Sequence, residues 1–149
     1  MRKVPIQSRM LKNIGTILLL VISCQGQTST RFVVLPPRAA SGIASSGTRQ
    51  PTKDDIDGLE ASLSQVSSLK AVNWPTSSNI RIDHPEQYLR QYVAVIRGGR
   101  KEIYINALCD QILVPDWRQR LVVVSDGATC FWQALYDPTT KRYSDLRQC

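Results

Sequence analysis

Residues Arg90 to Cys109, RQYVAVIRGGRKEIYINALC, read as two short alternating strands joined at Gly98-Gly99. Gly-Gly supplies the positive φ angles that a tight two-residue hairpin turn demands, and Val, Ile and Tyr dominate both flanks. Closing the turn there pairs Arg97 with Arg100 and fixes every earlier pair. Tyr92, Ala94 and Ile96 then share an apolar face with Ile103, Ile105 and Ala107. Their alternates, Gln91, Val93, Val95, Glu102, Tyr104 and Asn106, form a mixed face, free to meet solvent, a second layer or a ligand.

The apolar face needs a cover, and the sequence offers one from Thr52 to Lys70. Thr52 and Asp55 have capping-box spacing, with Asp in place of the preferred Glu, and Asp54, Asp55 and Asp57 suit the positive end of a helix. Ile56, Leu59, Leu63, Val66 and Leu69 recur at three- and four-residue steps, which makes a single apolar stripe. Gly58 lies inside this helix at a cost of about 1 kcal/mol against Ala. Further strands are expected at Asn79 to His84, Arg120 to Ser125, Cys130 to Tyr136 and Arg142 to Gln148. The Leu-Val-Val-Val run in the second of these lacks alternation and points to a central strand covered on both faces. The expected fold class is α+β: one amphipathic helix packed on a curved antiparallel meander sheet of four to five strands.

The N-terminus is basic at Arg2, Lys3, Arg9 and Lys12 and then apolar from Ile14 to Ile22. That run is shorter than the roughly 20 residues needed to span a bilayer, but it suits the core of an export signal. A start at Met10 would also leave a complete signal. Val21-Ile22-Ser23-Cys24 resembles the lipobox of bacterial lipoproteins. The resemblance implies lipidation of Cys24 after cleavage, and Gln25 implies sorting to an outer membrane, facing the periplasm. An ordinary signal-peptidase cut near Gly26 would instead release a soluble periplasmic or secreted protein. The formal charge of +7 falls by the four signal cations to about +3 in the mature chain. Scattered among acids, the remaining Lys and Arg form no basic stripe of the kind nucleic acid requires. Residues 24–51 are dominated by Ser, Thr, Gly, Pro and Gln and read as a flexible tether; Phe32 to Leu35 interrupt it, with a stray strand there only as the lesser alternative. The expected organisation is a signal peptide at 1–23, a lipid-anchored tether at 24–51 and a small domain at 52–149.

From Tyr88 onward a second resemblance emerges. Tyr92, Arg97-x-Gly99-Arg100-x-x-Ile103-Tyr104-x-Asn106-Ala107, Trp117-Arg118, Val122-Val123-Val124, Asp126-Gly127, Phe131-Trp132 and Tyr136-Asp137-Pro138-x-Thr140-Lys141 together resemble a family of small exported bacterial proteins and lipoproteins of unknown function. This chain departs from the family pattern in ending at Gln148-Cys149 and in having Ala128-Thr129-Cys130 after the Asp-Gly turn. The resemblance implies the strand layout and export, and brings no catalytic residue with it.

Four cysteines in an exported chain need partners. With Cys24 lipidated and the last hairpin turning within Asp137 to Lys141, Cys130 falls opposite Cys149, and a Cys130–Cys149 disulfide is expected. Cys109 is left as a buried thiol or an intermolecular partner. No two cysteines lie within four residues of each other and His84 is the sole histidine, so no metal site or cofactor is expected. No nucleophile elbow or phosphate-cradling loop appears. The expected function is therefore a non-enzymatic cell-envelope lipoprotein with a small binding domain. Its ligand or partner contacts would be Glu102, Tyr104 and Asn106, extended by Trp132 and Tyr136, and its partner an envelope protein or polysaccharide. The alternative is an exported hydrolase centred on His84 or on acids such as Glu102, Asp110, Asp126 and Asp137. The cations at the hairpin tip, Arg97, Arg100 and Lys101, read as a solvated turn or, alternatively, as a contact for an anionic surface such as lipid head groups or polysaccharide.

Overall fold

A computed structural model describes residues 31–72, 81–109, 114–125, 127 and 130–148. The expected signal sequence and Cys24 lie outside the described residues, as do Asn79, Ile80, Asp110, Asp126 and Cys149. The fold is α+β, built on an open mixed sheet. Strands β1 (Phe32–Val34), β2 (Gly47–Thr48), β3 (Leu89–Arg97), β4 (Arg100–Leu108), β5 (Phe131–Asp137) and β6 (Arg142–Gln148) are joined by one α-helix, α1 (Lys53–Ala61), and short 3-10 turns. The spatial order is β1-β3-β4-β5-β6, with β2 also on β3. Among the described residues no helix is long and apolar enough to cross a membrane.

The β3–β4 hairpin has the register expected from Gly98-Gly99. Arg97 pairs with Arg100, Tyr92 with Ile105 and Leu89 with Leu108, and both glycines have positive φ, 54° and 77°. The capping box also forms. Thr52 Oγ1 accepts from the Asp55 N–H at 3.2 Å, and Asp55 Oδ2 accepts from the Thr52 N–H at 2.9 Å. The helix is shorter than the apolar stripe: α1 stops at Ala61 and the chain continues as a 3-10 helix, Leu63–Ser68. Ser62 Oγ donates back to the Gly58 carbonyl at 2.7 Å, which competes with continued α-helical bonding. Ile56, Leu59, Leu63 and Val66 are buried against Tyr92, Ile103, Ile105 and Ala107 and against Trp132, Ala134 and Tyr136 of β5.

Gly58 has a structural reason. A Cβ there would stand 3.0 Å from the Tyr136 hydroxyl, so the glycine lets the helix sit close to the sheet. The end of α1 is fixed by Arg90, whose guanidinium is buried. It reaches Glu60 Oε2 at 3.1 Å, the Tyr92 hydroxyl at 2.9 Å and the carbonyls of Glu86 and Tyr88 at 2.8 and 2.7 Å. One cation thus joins helix, strand and the turn before β3 without a bare buried charge.

Four expectations are corrected. Residues 31–50 are not a tether. β1 runs parallel to β3, pairing Phe32 with Arg90, and β2 pairs Gly47 with Ile96. Leu35 and Ala40 are buried on Val93 and Val95, so a few apolar residues in a polar stretch suffice once a sheet edge is available.

Arg120 to Ser125 is not a strand. β4 pairs directly with β5, Leu108 opposite Phe131, leaving no place between them. The segment lies over the sheet instead, with Val122 buried and Val123 81% exposed. Arg81 to His84 is likewise irregular, although Ile82 is fully buried in the core.

The disulfide joins Cys130 to Cys109, not to Cys149. The expected pairing assumed a strand between β4 and β5. Without it, the end of β4 meets the start of β5: the Cys109 N–H donates to the Cys130 carbonyl at 2.9 Å, and the Cα atoms are 4.8 Å apart.

Candidate functional site

The helix covers one face of the sheet, and the other has two partial covers. Residues 35–43 lie over β3, and residues 114–124 lie over the end that carries Leu108 and Phe131. The second cover is fastened by a buried amide pair. Asn106 Nδ2 donates to Gln91 Oε1 at 2.8 Å and to the Val122 carbonyl at 2.9 Å. Gln91 Nε2 donates to the carbonyls of Trp117 and Arg120, and the Val122 N–H donates to Gln91 Oε1 at 2.9 Å. These contacts take the place that ladder hydrogen bonds would have in a strand.

At the corner nearest the Gly98-Gly99 turn the first cover reaches only the margin, through Gly42 and Ile43, and the second contributes no lining residue. Two adjoining clefts open there, of about 240 and 570 Å³. Both are lined by Arg97, Leu135, Asp145 and Arg147; Ile43 and Tyr104 complete the first, Arg100 and Glu102 the second. The strand pleat assembles this group. Arg97 on β3 and Arg100, Glu102 and Tyr104 on β4 all point to the face opposite the helix. Leu135 lies beside Tyr104. On β6 the register slips between Gln133 and Leu135, and Asp145 takes a left-handed conformation with φ 55°. This bulge re-aims β6 toward the hairpin tip.

The electrostatics of the corner are unusual for a turn. Arg97 and Arg100 are directly opposite each other, a repulsive pairing for like charges. Glu102, only 4% exposed, offsets it: its carboxylate lies 3.3 Å from Arg100 and 3.9 Å from Arg97. Arg97 also lies 3.4 Å from Asp145, which in turn accepts from Arg147 Nε and Nη2 at 3.3 and 3.2 Å. Three guanidiniums, each a fork of donors, thus share two carboxylates.

The residues expected as a site divide between the two faces of the sheet. Glu102 and Tyr104 line the open corner. Asn106 shares their face but is fully buried beneath residues 117–122, where it serves as a fastener. Trp132 and Tyr136 do not extend this surface. The register sets Trp132 beside Ala107 and Tyr136 beside Ile103, so both lie in the core on the helix side. Arg147 and Asp145 were missing from the expected set, and Arg97 and Arg100 entered it only as an alternative contact for an anionic surface. Arg97, Arg100 and Glu102 could have been grouped from the hairpin alternation alone, whereas Asp145 and Arg147 depend on the bulge.

His84 is exposed at the end of an irregular segment, with Nδ1 3.1 Å from the exposed carboxylate of Glu86. Asp137 accepts the N–H groups of Thr139 and Thr140 at 2.8 and 3.2 Å, an Asx turn that shapes the last hairpin. Among the described residues, no three His, Cys, Asp or Glu side chains converge as a metal site would require. Comparison of the chain with protein-family models, with curated protein sequences and with solved structures gives no match.

Proposed function

We propose that this chain is an exported cell-envelope lipoprotein whose α+β domain is a non-enzymatic binding module, and that the open sheet corner at the β3–β4 tip is its binding surface. The observation that carries the reading is the cleft itself: a part of the sheet face left open beyond the two partial covers, lined by an aromatic ring, apolar side chains and prearranged charges. Export and anchoring rest on the basic and apolar N-terminus and the lipobox-like Val21 to Cys24. The fold begins by Phe32, so an anchor on Cys24 would hold the domain within about 30 Å of the bilayer by chain length alone.

Two experiments test this. Labelled palmitate incorporation that is lost in Cys24→Ala and altered by globomycin supports the anchor, and absence of label refutes it. A photo-crosslinking residue at Ile43, beside the cleft, should yield a larger adduct in intact cells, whereas one at Lys53 on the helix side should not. Equal adducts from both positions, or none from Ile43, would remove the cleft as the binding surface.

A further inference from the structure

We infer that the cleft takes an acidic saccharide, a sugar ring bearing a carboxylate of the uronic-acid type, with the carboxylate received between Arg97, Arg100 and Arg147. The inference rests on the binding-module reading and adds the chemistry of the ligand. Its first support is the charge inventory. The lining holds three arginines and two acids, an excess of one positive charge that one carboxylate neutralises. Arginine forks suit such a group because they grip it through two parallel hydrogen bonds.

The second support is preorganisation. Folding sets Arg97 opposite Arg100 and holds them with a carboxylate that is itself almost wholly buried. Glu102 Oε2 has no hydrogen-bond partner among the described residues. Burying an acid in this way is unfavourable for a mere solvated turn. Set 3.9 and 3.3 Å from the Arg97 and Arg100 guanidiniums, it keeps both charges at the cleft before a ligand arrives, which lowers the entropy lost on binding.

The third support is the remainder of the wall. Asp145 and Gln133 offer side-chain oxygens to hydroxyl donors, and Tyr104, Leu135 and Ile43 offer surface to a ring. This cleft is walled mainly by side chains of the sheet face, with Gly42 and Gly98 at its margins and Asp145 and Arg147 of the edge strand β6 on one side.

The test is calorimetric titration of the full chain, purified in detergent, with trigalacturonate, maltotriose, triglutamate and inorganic phosphate. Trigalacturonate should bind at least about tenfold more tightly than the other three, and Arg97→Gln and Arg147→Gln should each weaken it by about tenfold or more. Lys53→Gln, on the helix side, should leave it unchanged. Melting curves verify that the variants are folded, and Arg100→Gln, at an exposed side chain, replaces any that is not. Triglutamate or phosphate binding as tightly as trigalacturonate overturns the saccharide, and maltotriose binding that ignores Arg97→Gln overturns the acidic group. If none of the four binds, the inference fails, while crosslinking from Ile43 reports separately on whether the cleft binds anything.

Discussion

Asn106 and Gln91 meet across the β3–β4 hairpin, Nδ2 to Oε1 at 2.8 Å, with both side chains fully buried. Their remaining bonds hold residues 117–122 on the sheet. Asn106→Ala should lower unfolding free energy by about 1–3 kcal/mol, since it strands the Val122 carbonyl and part of Gln91. Urea denaturation measures the loss. Hydrogen exchange should show faster opening across residues 114–125 than across α1.

The Cys109–Cys130 bond closes the loop that carries this segment. In the chain-entropy model, a loop of 21-residue separation contributes roughly 3 kcal/mol. Reduction, or paired Cys109→Ala and Cys130→Ala, should lower stability by that order. Non-reducing peptide mapping should recover Cys109 linked to Cys130, and a Cys130–Cys149 peptide would contradict the described pairing.

Gly58 and Tyr136 should be coupled. Gly58→Ala gains helix propensity of about 1 kcal/mol but places its methyl 3.0 Å from the Tyr136 hydroxyl. In the native background the substitution should be neutral or destabilising. With Tyr136→Phe, which removes that oxygen, it should stabilise by about 1 kcal/mol. Thermal or urea unfolding of the four proteins of this double-mutant cycle gives the interaction directly.

Acid should weaken the helix start. Burial raises the Asp55 pKa, but the Thr52 N–H and the Arg49 guanidinium at 2.6 Å outweigh it and hold the carboxyl below its ordinary value. The unfolded chain therefore takes up this proton first. The contribution is present above about pH 4 and is lost as pH falls through the folded value. Asp55→Asn should flatten the acid limb of melting temperature against pH.

Alkali acts on other groups. Burial drives the Tyr92 and Tyr143 phenols above their usual range, so the folded state keeps protons that the unfolded chain releases. Stability should be intact below about pH 10 and fall above it by roughly 1.4 kcal/mol per pH unit for each such phenol. Phenolate absorbance should show these two ionising only as the protein unfolds, and Tyr143→Phe should shift the transition to higher pH.

The hairpin could be read from the chain because one Gly-Gly pair and a two-residue alternation set the whole register. The capping box and the stripe from Ile56 to Val66 were legible for the same reason: their partners are a few residues apart. Long-range partners were hidden. Phe32 finds Arg90 and Gly47 finds Ile96, and nothing in the Ser- and Gly-rich composition reveals that edge. The Leu121 to Val124 run looks like a strand locally, yet its backbone is taken up by two amide side chains on the hairpin. At the candidate site, the shared face of Arg97, Arg100, Glu102 and Tyr104 followed from alternation. The approach of Arg147 did not, because it depends on a left-handed Asp145.

The parallel pairing of β1 on β3 imposes an order of assembly. A chain that emerges N-terminus first during synthesis delivers Phe32 to Val34 before the strand that receives them exists, so this edge closes only after Arg90 has emerged. That closure spans a long sequence separation and is intrinsically slow. Until it occurs, β3 offers bare backbone donors and acceptors, the template on which chains pair with one another. Fragments beginning after Gln50 would carry that hazard permanently, which makes the polar stretch at residues 31–50 the domain's own guard against aggregation.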